Sequence, residues 1–361
     1  MPAHPIIVVE DDPFTRLIPI VLDPNSSDER RLAFADFMTH DEPDFDGWIG
    51  RVRAGAKGLY PAEVRMVNSE AEMRAALSDC QALVVESLQV GRDDLIAAKQ
   101  LKVVQKFGTG LRNIDAKACA DKGITLLTLR RRANISCAEH AFGLMLALAR
   151  KLETVSGLVS AERIKAAGLP LRPFDRRHTP GGNYPRVGGT RALHGATIGI
   201  IGLGEIGREI ALRAAAFGMR TLYYQRTRAP EAEEREFKVT HVPLDTLLAE
   251  SDWIVPQVPT APYTRNLLGR AELSRIKPGA SIVNVANAPI INRDALLEAL
   301  RAGRLGGVAL DIHYQEPVAD DDPLLGFANV ILTPRMAGSP RHNGLNDFEE
   351  LITGLARALA A

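Results

Sequence analysis

Three glycines stand at the spacing G-x-G-x-x-G, at positions Gly202, Gly204 and Gly207. The apolar run Thr197–Ile201 before them predicts a strand, and Ile206–Phe217 after them predicts a helix. In such a turn the first glycine permits the tight bend, the second lets backbone approach a phosphate, and the third lets the helix pack on the strand. The helix N-terminus adds free N–H groups and a partial positive charge. This context predicts that the turn binds the pyrophosphate of a nicotinamide dinucleotide.

The end of the next predicted strand, Thr221–Gln225, should decide which dinucleotide binds. An acidic residue there accepts a hydrogen bond from the ribose 2′-hydroxyl, but this chain has Gln225, Arg226 and, two residues on, Arg228. Two guanidinium groups without a carboxylate favour a 2′-phosphate. The alternative is that both arginines are solvated and that Gln225 bonds the ribose diol. We therefore expect NADP or NAD as the cofactor, with NADP slightly favoured.

Short β-rich runs alternate with helical patterns along the chain, which favours an α/β fold with mostly parallel sheets. In the first third, strands are predicted at Ile6–Val9, Val64–Val67, Ala82–Val85, Val103–Lys106 and Ile124–Leu127. Helices are predicted at Ser69–Ser78, Ile114–Lys122 and Ser136–Leu152. Asn134 or Ser136 is expected to cap the last of these helices, because their side-chain oxygens can accept the N–H groups of a first turn.

A stretch rich in Pro, Gly, Arg and His, Gly168–Arg191, predicts a long loop. After the glycine turn and its second strand, further strands are predicted at Trp253–Gln257, Ser281–Ala286, Gly307–Leu310 and Val330–Thr333. Further helices are predicted around Asp245–Ala249, at Arg293–Arg301 and, closing the chain, at Asn346–Leu359.

The composition suggests two domains in 361 residues. Its 44 basic and 44 acidic residues give a net charge of zero, so nothing favours a nucleic acid or an anionic membrane as partner. Apolar stretches near the N-terminus, such as Ile6–Val9, are too short for a signal peptide or a membrane span. We therefore expect a soluble cytoplasmic protein. Cys80, Cys119 and Cys137 have neither metal-site spacing nor a disulfide framework, so no metal is expected.

Several stretches beyond the glycine turn make the sequence resemble the D-2-hydroxyacid dehydrogenase family, which includes phosphoglycerate dehydrogenases, glyoxylate/hydroxypyruvate reductases and formate dehydrogenases. The matching stretches are Lys106–Asp115, Ala138–His140, Leu144–Arg150, Leu193–Gly195, Glu250–Asp252, Ile276–Gly279, Ala295–Leu300, Ala309–Asp311 and Gln315–Pro317. With the turn they span about residues 64 to 340 in the family's order. The first 60 residues are less typical, and Asp28–Gly50 is interpreted as an extra helix or a lid.

The resemblance implies that a Rossmann dinucleotide-binding domain, residues 132–336, is inserted into a flavodoxin-like substrate domain formed by residues 1–131 and 337–361. It further implies that the active site lies in the cleft between these domains and that the protein is a homodimer. The implied substrate is a small anion, a 2-hydroxy or 2-keto acid.

The resemblance also implies cofactor contacts. Thr109, in the loop Gly108–Gly110, would face the substrate carboxylate and the nicotinamide, Val258 and Pro259 would line the cofactor, and Ala286 and Asp311 would hold the carboxamide. Together with the glycine turn, the expected cofactor-binding residues are Thr109, Gly202, Gly204, Glu205, Ile206, Gly207, Gln225, Arg226, Val258, Pro259, Ala286, Asp311 and Gly338.

The catalytic positions depart from the family pattern, which has an Arg, a Glu and a His. The Glu is kept as Glu316, but Asn287 replaces the Arg and Arg335 replaces the His. Arg335 cannot release its proton near neutral pH, so it cannot be the general acid. Asn287 carries no charge and polarises a keto acid more weakly than a guanidinium. Arg335 is expected to pair with Glu316 and keep it ionised, to bind a substrate anion, or to form a purely structural ion pair.

Ordinary reduction would then need another proton donor. The candidates are His313, Tyr314, His342 and His140, of which His313 lies close to Glu316 along the chain. Histidine is the side chain whose pKa suits this role best. The expected catalytic residues are Glu316, Arg335, Asn287 and His313.

Three functions remain open at this point. The first is an NAD(P)-dependent oxidoreductase with altered substrate or acid–base chemistry. The second is an enzyme that keeps its dinucleotide bound for an elimination, hydrolysis or decarboxylation without net redox change. The third is a catalytically silent protein that senses the dinucleotide.

Overall fold

The computed structural model describes residues 4–361, and they divide into two compact units. The first unit consists of the described residues up to Ser136 together with Gly338–Ala361, and the second is Cys137–Ala337. Each unit has its own parallel sheet. The chain therefore leaves the first unit, builds the second, and returns to the first with its last helix.

The sheet of the first unit has five parallel strands in the order β2-β1-β3-β4-β5. The strands are β1 Ile6–Glu10, β2 Glu63–Val67, β3 Ala82–Val85, β4 Val103–Lys106 and β5 Thr125–Leu127. This is the strand order of flavodoxin-like sheets, as expected.

The helices that lie wholly in this unit are α1 Leu17–Leu22, α2 Asp28–Met38, α3 Phe45–Gly55, α4 Glu70–Ala76, α5 Arg92–Ala97, α6 Ala116–Asp121 and α15 His342–Ala360. The segment interpreted as an extra helix or a lid forms α2 and the first half of α3. Trp48 of α3 and Met38 of α2 are buried in one cluster with Phe348 of α15. The segment is therefore part of the hydrophobic core of its unit.

The sheet of the second unit has seven parallel strands in the order β12-β11-β10-β9-β6-β7-β8. The strands are β6 Thr197–Ile201, β7 Arg220–Tyr224, β8 Val239–His241, β9 Trp253–Pro256, β10 Ser281–Asn284, β11 Gly307–Leu310 and β12 Val330–Leu332. The strand order reverses at β6, from which β7 lies to one side and β9 to the other. This is the doubly wound Rossmann arrangement with one further strand, and it confirms the predicted fold class.

The helices of this unit are α8 Leu152–Val155, α9 Ala161–Ala166, α10 Glu205–Ala216, α11 Glu231–Phe237, α12 Leu244–Glu250, α13 Arg270–Arg275 and α14 Arg293–Arg301, with 3₁₀ turns at Ala288–Ile290 and Pro323–Gly326. Helix α7, Arg132–Arg150, begins in the first unit and ends in the second. The predicted loop Gly168–Arg191 contains neither helix nor strand. Within residues 4–361, no helix is both long and apolar enough to cross a membrane.

Burial on both faces of each sheet explains why the strands stand out in the sequence. In β1, Ile7 belongs to one buried cluster and Val8 to another, because successive side chains of a strand point to opposite faces. In β10, Val283 and Ile282 divide in the same way. A strand covered on both faces reads as a continuous apolar run, which is the pattern that predicted them.

The predicted caps of α7 are wrong. The helix begins at Arg132, so Asn134 and Ser136 lie inside it. Its first N–H groups are accepted instead by the carboxylate of Asp347, at 3.0 Å from the Arg132 nitrogen and 3.4 Å from the Ala133 nitrogen. The cap comes from a residue more than 200 positions away along the chain, which local sequence reasoning cannot find.

Candidate active site

The glycine turn has the geometry that its spacing predicts. Gly202 has a φ of 101°, and a Cβ added to it would lie 2.5 Å from the carbonyl oxygen of Gln257. A Cβ on Gly207 would lie 2.3 Å from the carbonyl oxygen of Gly202, where α10 meets the turn. Both positions therefore require glycine for packing within the protein.

Gly204 is different, because it is the glycine whose missing side chain leaves open space. A Cβ there would have no protein atom within 4 Å, and the residue is the N-cap of the twelve-residue helix α10. Glu205 and Ile206 follow as the first two residues of that helix. An open surface at a helix N-terminus fits the pyrophosphate of a dinucleotide.

The side chain of Gln225, just after β7, braces the same turn. Its Oε1 accepts the N–H of Leu203 at 3.2 Å, and its Nε2 donates to the carbonyl of Thr227 at 2.7 Å. The two arginines that follow Gln225 along the chain have different partners. The Arg226 guanidinium lies 4.2 Å from the ring centre of Tyr263, whereas Arg228 makes two hydrogen bonds, of 2.7 and 2.8 Å, to Glu234.

Asn284, the buried last residue of β10, positions the loop that follows. Its Oδ1 accepts the N–H groups of Ala286 and Asn287 at 3.0 and 3.1 Å, and its Nδ2 donates to the carbonyl of Asn287 at 2.7 Å. The Nδ2 of Asn287 lies 3.5 Å from the carbonyl oxygen of Val258. The Oδ1 of Asn287 is buried and has no hydrogen-bond partner among residues 4–361.

Val258 and Pro259 follow β9 on the same edge of the sheet. Val258 contacts the glycine turn, since its Cγ1 would lie 2.8 Å from a Cβ on Gly202. The carbonyl of Pro259 accepts the hydroxyl of Thr264 at 2.6 Å. The turn, Val258 and Asn287 thus form one continuous surface at the carboxyl ends of β6, β9 and β10, which is where open α/β sheets bind their ligands.

A cavity of about 460 Å³, called here the strand-end cavity, continues this surface beyond β10, β11 and β12. Its lining brings together Thr260, Ala286, Asn287, Pro289, Ile312, His313, Tyr314, Gln315, Glu316 and Arg335. All four predicted catalytic residues and Ala286 therefore meet in one place within the second unit.

Glu316 and Arg335 form an ion pair in the strand-end cavity, with 2.6 Å between Nη1 and Oε2. The other oxygen of Glu316 accepts the backbone N–H of His313 at 3.0 Å. Burial alone would raise the pKa of Glu316, but the His313 N–H and the Arg335 guanidinium outweigh it and lower that pKa. The prediction that Arg335 keeps Glu316 ionised agrees with this geometry. The Arg335 side chain is nevertheless 61% exposed, so much of its guanidinium faces solvent.

Arg335 has a φ of 56°, the left-handed region that residues with a Cβ rarely adopt. Its N–H is held by the carbonyls of Asp311 and Thr333 at 2.9 and 3.0 Å. Such a conformation persists only where the surroundings fix it. The backbone here is therefore constrained to present this side chain.

Asp311 supplies most of that constraint. Its carboxylate is buried and accepts the Met336 N–H at 2.8 Å, the Ala337 N–H at 2.9 Å and the Thr333 hydroxyl at 2.6 Å. Nε2 of His140 lies 3.3 Å from the same carboxylate. Burial would raise the pKa of Asp311, but these hydrogen bonds lower it. The predicted contact of Asp311 with the carboxamide remains a prediction.

The four candidate proton donors differ in location and in hydrogen-bond partners. Nε2 of His313 lies 2.8 Å from the carbonyl oxygen of Thr333, and the ring lines the strand-end cavity. The Tyr314 hydroxyl donates to the carbonyl of Ile291 at 2.9 Å, and burial raises the pKa of Tyr314. His140 contacts Thr333 at 3.1 Å. His342 belongs to the first unit, where it lies 3.8 Å from Glu42.

Thr109 and Gly338 also belong to the first unit. Thr109 is exposed in the loop that follows β4, and Gly338 is exposed four residues before the first residue of α15. Their contacts with a cofactor remain predictions.

Sequence reasoning missed the supporting residues Asn284 and Thr333, and it considered His140 only as a candidate proton donor. An Asn at a strand end, three residues before a predicted site residue, is a recognisable signal, because Asn side chains bond the backbone two or three residues on. His140 gives no such signal, since it lies 193 residues from its partner Thr333 along the chain.

A larger cavity, of about 780 Å³, lies in the first unit at the amino ends of its strands. It is lined by Lys57, Lys99 and Lys102 and by the last turn of α15, and Lys102 contacts the Leu359 carbonyl at 3.5 Å. Lysines beside the carbonyls of a helix C-terminus stabilise that helix end. We assign this cavity no catalytic role.

A doubly wound parallel sheet whose first strand runs into a glycine turn and a helix is typical of dinucleotide-binding domains. The family model described as "D-isomer specific 2-hydroxyacid dehydrogenase, NAD binding domain" matches residues 142–337. The chain belongs to this family.

Its relatives carry different names. The chain is 36% identical over 294 residues to the D-3-phosphoglycerate dehydrogenase of Archaeoglobus fulgidus, covering 80% of this chain and 51% of the relative. It is 34% identical over 277 residues to the glyoxylate reductase of Korarchaeum cryptofilum, covering 76% and 78%. The chain thus spans about half of the first relative and about three quarters of the second. The holo structure of Rhodotorula graminis D-mandelate dehydrogenase shares the fold, with a TM-score of 0.56 at 22% identity over 98% of this chain and 93% of that one.

Proposed function

We propose that this protein is an NAD(P)-dependent oxidoreductase that interconverts a small 2-hydroxy acid and its 2-keto acid, or a closely related anion. The observation that carries the proposal is the continuous surface from Gly204 to the strand-end cavity. It joins an open phosphate cradle to the strand-end cavity, which holds the Glu316–Arg335 pair, within one unit.

The residues present fit a dinucleotide. Gly204 offers open space at the start of α10, and two buried polar atoms near the turn, Nε2 of Gln257 and Oδ1 of Asn287, have no partner among the described residues. The pyrophosphate would be held by the backbone of Gly204 to Ile206, and the nicotinamide end by Val258 and Ala286. A bound nicotinamide supplies or accepts a hydride at the substrate carbon.

Arg335 binds the substrate anion in this proposal. One of its nitrogens is engaged by Glu316, and the exposed part of the guanidinium can donate to a carboxylate. Glu316 stays ionised and holds the guanidinium in place. Arg335 thus takes over anion binding from the position where Asn287 now stands.

The proton comes from His313. Its Nε2 donates to the Thr333 carbonyl, which leaves Nδ1 as the nitrogen that gains or loses the proton. The backbone N–H of His313 on Glu316 fixes the ring close to the Arg335 ion pair. Asn287 donates a neutral hydrogen bond to the substrate, which is weaker than that of a guanidinium.

The choice between NADP and NAD depends on Arg226. Arg228 is already paired with Glu234, so only Arg226, stacked on Tyr263, is positioned to contact a 2′-phosphate. We infer a modest preference for NADP. Titration of protein fluorescence with each reduced dinucleotide measures it, and tenfold tighter binding of NADH would refute it.

Two further parts of the proposal are a homodimer and a cytoplasmic location. Light scattering during gel filtration would give twice the chain mass for a homodimer. A single-chain mass across the working concentration range would rule the dimer out.

The test of the function is consumption of reduced dinucleotide with a panel of 2-keto acids, together with dinucleotide titration. We expect binding of at least one dinucleotide and turnover of at least one acid. Binding without turnover of any acid would favour a sensing protein, and absorbance changes without net consumption would favour non-redox chemistry. The double substitution Asn287→Arg with Arg335→His restores the family's residues at both positions. A strong gain of ordinary reductase activity would show that the natural Asn287 and Arg335 do not support that reaction.

A further inference from the structure

We propose that Tyr263 is a cofactor-binding residue, and that it forms with Arg226 a two-sided clamp for the adenine base of the dinucleotide. The inference rests on the proposed function, since it concerns the far end of the same cofactor. Tyr263 belongs neither to the glycine turn nor to the lining of the strand-end cavity.

The contact between these two side chains crosses the carboxyl end of β6. Arg226 lies just after β7, which ends at Tyr224, and Tyr263 lies in the loop after β9, which ends at Pro256. Both strands pair in parallel with β6, on opposite sides of it. The guanidinium carbon of Arg226 nevertheless lies 4.2 Å from the ring centre of Tyr263. The pair therefore bridges the strand end that leads into the glycine turn, at the point where the strand order reverses and open α/β sheets bind ligands.

This place corresponds to the adenosine end of a dinucleotide. In the proposed function the pyrophosphate lies at Gly204, after β6, and the nicotinamide lies at Val258 and Ala286, after β9 and β10. A cofactor that runs in this direction across the strand ends continues from β6 toward β7 on the other side. Its group at that end is adenine, a flat base with two faces that can stack.

The backbone on both sides of the pair is held in place. Thr264, next to Tyr263, is buried, and its hydroxyl donates to the carbonyl of Pro259 at 2.6 Å. Gln225, next to Arg226, bonds the backbone of the glycine turn at 3.2 Å. Tyr263 itself is 57% exposed. Fixed backbone therefore presents an aromatic ring that the protein core does not use.

Arg226 has few competing partners. The neighbouring Arg228 is bound by Glu234 through two hydrogen bonds of 2.7 and 2.8 Å. Arg226 has no ion pair among residues 4–361, and its guanidinium lies on the ring of Tyr263. An exposed cation–π contact of this kind corresponds to only about a two- to fivefold preference for the stacked state. The guanidinium can therefore leave the ring readily.

Insertion of adenine between the two groups replaces this weak contact with two stacking contacts. A base stacked on an aromatic ring contributes about a 5- to 150-fold gain in binding. The planar guanidinium stacks on the opposite face of the base. Because this gain exceeds the cost of separating the pair, the clamp favours the bound base.

The experiment measures the Kd of ADP-ribose by calorimetry in the full chain, because this probe carries the adenine and the pyrophosphate but no nicotinamide. We expect Tyr263→Ala to weaken binding about tenfold, and Tyr263→Leu to weaken it as well, since leucine offers no flat face. Tyr263→Phe keeps the ring and should stay within about twofold of the wild type. The urea midpoint should be unchanged in all three variants, because Tyr263 is largely exposed.

The matched control is Tyr184→Ala. Tyr184 is also an exposed tyrosine of the second unit, but it lies in the loop 168–191, where its hydroxyl donates to the carbonyl of Val159 at 3.1 Å. Its removal should leave the Kd of ADP-ribose unchanged.

Arg226→Met tests the second side of the clamp. In this background no stacked pair has to be separated, so Tyr263→Ala should weaken ADP-ribose binding about two- to fivefold more than it does in the natural background. An equal or smaller loss would mean that the guanidinium stays on the ring, and it would overturn the two-sided clamp.

A Kd of ADP-ribose in Tyr263→Ala within about twofold of the wild type would overturn the role of Tyr263. The failure of the proposed function has a different signature. A wild type that binds a dinucleotide but reduces no acid contradicts the proposed function, while a weaker Kd in Tyr263→Ala still supports the clamp. A wild type that reduces an acid, with the same ADP-ribose Kd in Tyr263→Ala, contradicts the clamp alone.

Discussion

At the scale of single residues, the three glycines of the turn are required for different physical reasons. Gly202 and Gly207 are required because the protein itself fills the space that a Cβ would need. Gly204 is required, in the proposed function, because a ligand fills it.

Gly204→Ala should therefore keep the fold and lose the dinucleotide. Gly204 has a φ of −80°, which alanine adopts readily, and a Cβ there contacts no protein atom. We expect a free energy of unfolding within about 0.5 kcal/mol of the wild type and a dinucleotide Kd raised at least about tenfold. Urea unfolding and fluorescence titration measure the two. Gly202→Ala is the contrast, since it should lower stability sharply; equal dinucleotide binding by Gly204→Ala and wild type would contradict the assignment.

Two substitutions of Arg335 separate the effect of its backbone strain from the effect of its positive charge. Arg335→Ala and Arg335→Gly both remove the guanidinium, but only glycine is at ease at a φ of 56°. We expect the glycine variant to be about 1 kcal/mol more stable than the alanine variant, with substrate KM raised equally in both. Thermal or urea unfolding decides the first point. Equal stability of the two variants would mean that the left-handed backbone carries no strain.

The Glu316–Arg335 pair predicts a pH dependence. The folded-state pKa of Glu316 lies below its ordinary value of 4.5, so the stabilisation from its ionised form is complete above that value and is lost as pH falls through the lowered pKa. Substrate binding should therefore be independent of Glu316 titration near neutral pH. Arg335→Met removes the hydrogen bond and the positive charge, and the pKa of Glu316 should rise. NMR of the side-chain carboxyl carbon measures the pKa of Glu316 in the wild type and in Arg335→Met. The same pKa in both proteins would contradict the pairing.

At the scale of elements, most strands could be predicted because they are buried on both faces and read as apolar runs. The short acidic helix α11 and the three-residue strand β8 lack such a run, so tertiary packing and not local pattern decides them. The anchors Asn284 and Asp311 were readable as strand-end residues, but their partners were not. Hydrogen bonds between positions far apart along the chain exist only once the fold has brought them together.

The cap of α7 is the clearest case and can be tested. Asp347 is 1% exposed and accepts the Arg132 N–H and one guanidinium nitrogen, at 3.0 and 2.9 Å. Asp347→Ala should cost about 2 kcal/mol of stability, because it leaves buried N–H groups without an acceptor. Burial raises the pKa of Asp347 despite these donors, so the neutral acceptor in Asp347→Asn should cost less. Urea unfolding of both variants measures this.

Glu350→Gln is the control for Asp347, since Glu350 pairs with the same arginine but is 54% exposed. Its effect should stay within about 0.5 kcal/mol. If Glu350→Gln and Asp347→Ala destabilised the protein equally, the ion pair with Arg132 and not the helix cap would be the source of the stability.

At the scale of the whole molecule, the two-sheet architecture was readable because the glycine turn and the family motifs fall in order along the chain. The chemistry was less readable, because Asn287 and Arg335 each admit more than one role in the sequence. The structure brings them together with Glu316 and His313 in one cavity and shows Arg335 paired with Glu316. That arrangement supports the proposed binding of an anion by Arg335.

The most direct test of this central claim is the steady-state reduction of the best 2-keto acid substrate by wild type and by Arg335→Met. We predict that the variant binds the dinucleotide as the wild type does, while kcat/KM falls about 10- to 100-fold, mainly through KM, because a charge-assisted hydrogen bond to the bound anion is lost. Reduction by Arg335→Met at the wild-type rate, with an unchanged KM, would contradict it.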